Sequence, residues 1–187
     1  MIHPIPTDRS NTIIPPLSSV SAHNGIVSCI TTSSSINGHF FVASGGSDYS
    51  LILYSLTSKS INVHKRISNA HEGIITSILF GSGMATGVLY SAGMDNCIKI
   101  WNCVSLEHIG NLCHHSKKVV ALTQSSDGRF LISAGADRVV LVYDLTKNYR
   151  LILKLETRDE PTSLSFHQPM IVVGLKSGMC QCWNIPI

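Results

Sequence analysis

The chain has 187 residues, 44% of them apolar, 13% charged and 6% aromatic, a size and composition that can bury a sizeable core and exclude low-complexity disorder. Fourteen Lys and Arg against eleven Asp and Glu leave a formal charge of +3, far from the dense basic footprint of an obligate nucleic-acid binder. Runs such as Val139-Val140-Leu141-Val142 are too short to cross a bilayer, and the opening Met-Ile-His-Pro-Ile-Pro-Thr-Asp has no basic region followed by an apolar one, so a non-secreted cytoplasmic or nuclear chain without membrane insertion is expected.

Residues 1–20, broken by Pro15-Pro16, read as a partly irregular leader able to supply only a poor outer strand. From there the texture is β. His23 is followed four and seven residues later by Val27 and Ile30, and the short runs Ile26–Ile30, Phe40–Ser44 and Leu51–Tyr54 are bounded by Gly, Asn, Asp and Ser. Within them lies the phrase Ser44-Gly-Gly-Ser-Asp48, then Tyr54. The set recurs as His71 with Ile75 and Ile78, Ser91-Ala-Gly-Met-Asp95 and Trp101, and again as His115 with Val119 and Leu122, Ser133-Ala-Gly-Ala-Asp137 and Tyr143. Serine to aspartate is always four residues and aspartate to aromatic always six, whereas Asp48 to Asp95 is 47 and Asp95 to Asp137 is 42. The core of the unit is fixed and its loops stretch. A fourth copy keeps Leu164-Ser-Phe166 and Trp183 but has Thr157, Val173 and Ser177 in the histidine, serine and aspartate places. Ser60–Ile67, Leu106–Leu112 and Tyr149–Leu155 are candidate outer strands, and no helix of ordinary length is apparent.

One and three residues before each aromatic stand Leu53 and Leu51, Ile100 and Ile98, Val142 and Val140, then Cys182 and Cys180, so one face of each third strand is expected to be apolar and the paired cysteines to occupy core slots. The six cysteines include no Cys-x-x-Cys pair, and with no export signal they are expected as reduced thiols without structural zinc.

Antiparallel four-stranded units at this period resemble the blades of a β-propeller, and the histidine, serine, aspartate and aromatic spacing resembles the WD-repeat family over about residues 20–187. The resemblance implies an all-β fold of about four blades of four-stranded antiparallel sheet, near residues 21–68, 69–112, 113–156 and 157–187, forming an incomplete ring or half-ring arc. It also implies that His23, Ser44, Asp48 and Tyr54, His71, Ser91, Asp95 and Trp101, and His115, Ser133, Asp137 and Tyr143 form hydrogen-bonded structural networks, with Trp183 the remnant of a fourth. Departures are Tyr54 and Tyr143 in place of the family's tryptophan, and Ala22, Ala70 and His114 where glycine usually precedes the histidine. The turn Thr31–Gly38 and the ending Gly174-Leu-Lys-Ser-Gly178 through Ile185 also resemble the C-terminal propellers of BEACH-domain trafficking proteins, which implies as an alternative a fragment of such a propeller.

Ser, His and Asp together are also the members of a nucleophilic triad, but three equivalent sets, none in a Gly-x-Ser-x-Gly elbow, argue against an enzyme. Gly81-Ser-Gly-Met-Ala-Thr-Gly87 falls one residue off a dinucleotide fingerprint with no helix after it, and reads as a turn. Cys113-His114-His115 is the densest metal-ligand cluster, yet neighbouring side chains on a strand diverge. No cofactor or metal is expected.

Family propellers commonly engage partners on the rim that carries the leading loops and the turns between second and third strands. That places Asn24, Ser47, Tyr49, Glu72, Met94, Asn96, Lys117, Ala136, Arg138, Arg158 and Lys176 on one surface, basic in its later half. The expected function is a non-catalytic scaffold binding partner peptides or domains, within a multi-subunit complex, by self-association or paired with another propeller half. The alternative is a subunit in RNA processing or ribosome assembly that contacts RNA or acidic partners through Lys117, Lys118, Arg138, Arg158 and Lys176.

Overall fold

A computed structural model describes residues 15–36 and 38–185. Fifteen strands make four antiparallel sheets laid down in chain order. The first contains β1 (Val27–Thr32), β2 (Phe40–Gly46), β3 (Leu51–Leu56) and β4 (Ile61–Ile67), and the second β5 (Ile75–Phe80), β6 (Val88–Gly93), β7 (Ile98–Asn102) and β8 (His108–Leu112). The third contains β9 (Val119–Gln124), β10 (Phe130–Gly135), β11 (Val139–Asp144) and β12 (Arg150–Glu156). The fourth has three strands, β13 (Pro161–His167), β14 (Met170–Leu175) and β15 (Cys180–Asn184). Among the described residues helix is limited to two three-residue 3-10 turns, Gly83–Ala85 and Leu145–Lys147, the first lying inside the glycine run between β5 and β6. The described leader residues before β1 form no strand.

The sheets stack face to face with their innermost strands β1, β5, β9 and β13 side by side. Between the first two sheets, Phe41, Ala43, Leu51 and Leu53 meet Ile75, Ile78, Phe80 and Leu89. Ile98 and Ile100 then meet Val119 and Leu122, and Val140 and Val142 meet Ile171 and Val173. The apolar residues one and three before each aromatic thus point at the next sheet, and burial of such side chains, at about 1.5–3 kcal/mol each, holds the stack together.

The fourth sheet breaks that rule. Cys180 and Cys182 were expected in core slots but are exposed, because their face has no further sheet packed on it among the described residues. The expectation of six reduced thiols is also corrected: Cys97 and Cys113 form a disulfide. The pairing of Ile98 with Leu112 at the ends of β7 and β8 sets the two cysteines just beyond the ladder directly across from one another, 4.3 Å apart at Cα.

Candidate functional site

In each of the first three sheets the recurring residues come together where the leading loop meets the turn between second and third strands. His71 Nδ1 lies 2.9 Å from both Asp95 carboxylate oxygens and its Nε2 lies 2.7 Å from Ser91 Oγ. A carboxylate only accepts, so the ring is protonated at Nδ1, Nε2 accepts from the serine hydroxyl, and Ser91 Oγ in turn accepts from Trp101 Nε1 at 2.8 Å. His23 repeats this with Asp48 at 2.8 Å and Ser44 at 2.7 Å, and Tyr54 OH closes the set on Ser44 at 3.0 Å. His115 repeats it with Asp137 at 3.0 Å and Ser133 at 2.8 Å. There the set is looser: Tyr143 OH is buried with no well-formed hydrogen bond, and burial pushes it up to about 12, with Ser133 pulling the other way.

Each aspartate also accepts from the backbone amide after the histidine, at Asn24, Glu72 and Ser116, which ties the loop to the sheet. Burial alone would raise the Asp95 carboxyl, but bonds from His71 and from the Glu72 and Cys97 amides override it and hold it at about 2. Asp48 is held at about 2 in the same way, against its own burial, by Asn24, His23 and Ser50. Burial lowers His115, with Asp137 pulling the other way. The fourth sheet has no such set. Thr157 Oγ1 donates to the Asp159 carbonyl, the Arg158 amide donates to Gln181, and Trp183 packs half-buried on the core.

The serine, histidine and acid stand in the order of a catalytic triad, but Ser44, Ser91 and Ser133 are at most 1% exposed. A nucleophile must reach the carbon it attacks, and these hydroxyls are sealed on the aromatic side by Tyr54, Trp101 and Tyr143. Among the described residues no group of three His, Cys, Asp or Glu side chains is placed to hold a metal ion.

The rim is built with the same regularity. Backbone bonds Ser47 N to Ile26 O, Met94 N to Ile74 O, Ala136 N to Lys118 O and Lys176 N to Glu160 O dock every turn on its leading loop, each at 2.8–2.9 Å. Tyr49, Asn96 and Arg138, each the residue after the aspartate, take positive φ, as Gly178 does at the same point of the fourth sheet. Tyr49, Met94 and Arg138 are exposed at the turns, and Asn24, Glu72, Lys117, Arg158 and Lys176 are exposed beside them. Asn96 is half-buried and donates to the Ser116 carbonyl, and the half-buried Ser47 accepts from the Ile26 amide. Glu160 lies 3.6 Å from both Lys118 and Lys176, which offsets part of the positive field. A cleft of about 630 Å³ opens under this rim, lined by His114, Arg138, Leu151, Lys154 and Glu156 among others.

Sequence reasoning missed several partners. Arg66 on β4 reaches Asp48, Ser50 and the Ala22 carbonyl, a contact no local spacing signals. Asp144, almost fully buried, is lowered first by the Thr146 hydroxyl, with Arg129 contributing. Asp127 is lowered by Ser125 and the Arg129 amide within a turn that Ser125-Ser-Asp-Gly128 does announce.

Comparison with known proteins agrees with this geometry. The model of the family "WD domain, G-beta repeat" matches residues 14–55, 62–102 and 106–144. The "U3 small nucleolar RNA-associated protein 15 homolog" of Xenopus tropicalis is 32% identical over 168 residues, covering 87% of this chain and 30% of that protein. The chain therefore spans less than a third of that relative. Among solved structures, the computationally designed Ika4 protein matches with a TM-score of 0.76 at 21% identity, covering 92% of this chain and 99% of the design. The designed Ika8 protein matches with a TM-score of 0.74 at 22% identity, covering 90% of this chain and 49% of the design.

Proposed function

The chain belongs to the WD-repeat family, and from that premise we propose that it is a non-catalytic scaffold presenting rim loops to a protein partner within a multi-subunit complex. The observation that carries this reading is the division between buried and exposed groups. The Ser, His and Asp of the three recurring sets are spent inside hydrogen-bonded networks, while Tyr49, Met94, Lys117 and Arg138 project from loops held by backbone bonds to the sheets. A rigid loop gives up little conformational entropy on binding, which favours recognition. The cleft beneath Arg138 offers a concave seat for a partner segment.

A second reading, a subunit of an RNA-processing or ribosome-assembly complex in the nucleus, is favoured by the likeness to the Xenopus U3 small nucleolar RNA-associated protein and by the exposed Lys117, Arg138 and Arg158. Salt separates the two, because phosphate contacts release counterions and weaken steeply as salt rises. The test is affinity purification of the chain at low and high salt, alongside the pairs Tyr49→Ala with Met94→Ala and Lys117→Glu with Arg138→Glu. A scaffold retains the same protein set at both salts and loses it in the rim variants, whose melting stays that of the parent. Capture that collapses with salt and with nuclease supports the RNA reading. Capture indifferent to both variant pairs overturns the rim as the binding surface.

A further inference from the structure

The three internal junctions of the arc share one backbone register, the first two also a hydroxyl bond across the junction that Val120 does not make at the third, and the two outer faces carry the separated halves of one more. Every innermost strand has a one-residue bulge, at Ser28, Thr76, Val120 and Thr162. Ser28 Oγ is shared between the Gly45 carbonyl of its own sheet and the Ile75 carbonyl of the next. Thr76 Oγ1 likewise reaches Ala92 O at 3.1 Å and, across the junction, Val119 O at 2.5 Å. Thr162 makes the first of these bonds, to Gly174 O at 3.1 Å, and among the described residues has no next sheet for the second. The carbonyls used across the junctions belong to the residues that open β5 and β9, and the residue at that point of β1 is Val27.

The apolar positions divide the same way. Ile75, Ile78, Val119 and Leu122 are at most 9% exposed where a preceding sheet covers them, whereas Val27 and Ile30 at the matching positions are 51% and 66% exposed. On the opposite face Ala43, Tyr90 and Ile132 are fully covered, whereas Val172 at the same place is 39% exposed and lies near the exposed Cys180 and Cys182. Ile75 packs so closely on Gly45 that a Cβ there would meet it at 2.5 Å, and Gly174 keeps that position small in the fourth sheet.

We propose that two copies of this chain close head to tail, the Val27 and Ile30 face of each seated on the Val172 and Cys182 face of the other, with Thr162 donating to the partner copy's first-strand carbonyl. The occupant follows from the fold: each exposed face displays the chemistry that its internal counterpart buries against the other. Two arcs of four sheets make eight, the upper end of ordinary propeller sizes, and three arcs would exceed it. A contact between unlike faces forms a closed ring when its rotation closes. The arc also superposes on about half of a designed chain roughly twice its length.

The test is the mass of the purified chain by sedimentation equilibrium across a dilution series, expected at twice the 20.3 kDa of one chain. Ile30→Glu and Cys182→Glu alter exposed side chains, so each keeps the sheet spectrum of the parent and sediments as a single copy. An equimolar mixture of the two retains one intact junction and recovers the two-copy species at weaker affinity. A single-copy mass for the parent up to its solubility limit, open polymers, a two-copy species that survives either substitution, or failure of the mixture to recover it would each overturn the proposal.

Discussion

Replacing Asp95 by alanine tests what the recurring networks contribute. The carboxylate accepts from His71 Nδ1, from the Glu72 amide at 3.1 Å and from the Cys97 amide at 3.4 Å. His71 is 1% exposed, so its N–H is left without water, a loss of about 1–3 kcal/mol, and the two more exposed amides add about 0.5 kcal/mol each. The expected cost is about 2–4 kcal/mol, and in a chain of this length each kcal/mol lowers the melting temperature by about 2–4 °C. Trp101, bonded to Ser91 in the same set, supplies a local fluorescence signal for the second sheet. The effect has a definite pH dependence. The carboxyl is held at about 2 in the folded chain against an ordinary 3.8, so the unfolded chain binds its proton first as pH falls. The stabilisation is full above about pH 5 and fades toward pH 2. The gap in stability between parent and Asp95→Ala should close across that window. An unchanged melting temperature, or a gap of constant size from pH 7 to pH 2, would mean that the Asp95 carboxylate does not stabilise the second sheet.

Ser91→Ala leaves both His71 Nε2 and Trp101 Nε1 buried without a partner and should cost about 2–4 kcal/mol by urea denaturation, more than the single lost hydroxyl suggests. Tyr90→Phe removes a buried hydroxyl that makes no well-formed hydrogen bond, so stability should hold or rise by up to about 1 kcal/mol on the same measurement. Thiol titration of the unfolded chain without reductant should find the four free cysteines Cys29, Cys103, Cys180 and Cys182, and six after reduction. Breaking the 16-residue Cys97–Cys113 link should lower stability by up to about 3 kcal/mol.

Much of the fold was legible because the repeat carries its own register. An apolar residue at every second position of a third strand says which face meets the next sheet, and Leu51, Ile98 and Val140 are buried there. The same pattern misplaced Cys180 and Cys182, since periodicity reports which face a side chain takes and not whether a neighbour covers that face. The disulfide was hidden for a related reason: Cys97 and Cys113 meet only through the register of β7 on β8, which a separation of 16 residues does not declare. His71 lies 24 residues from Asp95 and 20 from Ser91, and the three come together because a tight turn and two short strands leave few ways to close the loop. Arg66 escaped notice because its partner Asp48 stands 18 residues back, in the turn on the far side of β3.

The networks hold the leading loops onto the sheets. Amide hydrogen exchange reads this most directly at Asn24, Glu72 and Ser116, residues that are exposed to solvent yet donate their N–H groups to Asp48, Asp95 and Asp137. The account expects these three amides to be protected together, with Glu72 alone released in Asp95→Ala. Exchange at the rate of a free loop in the parent chain would contradict it.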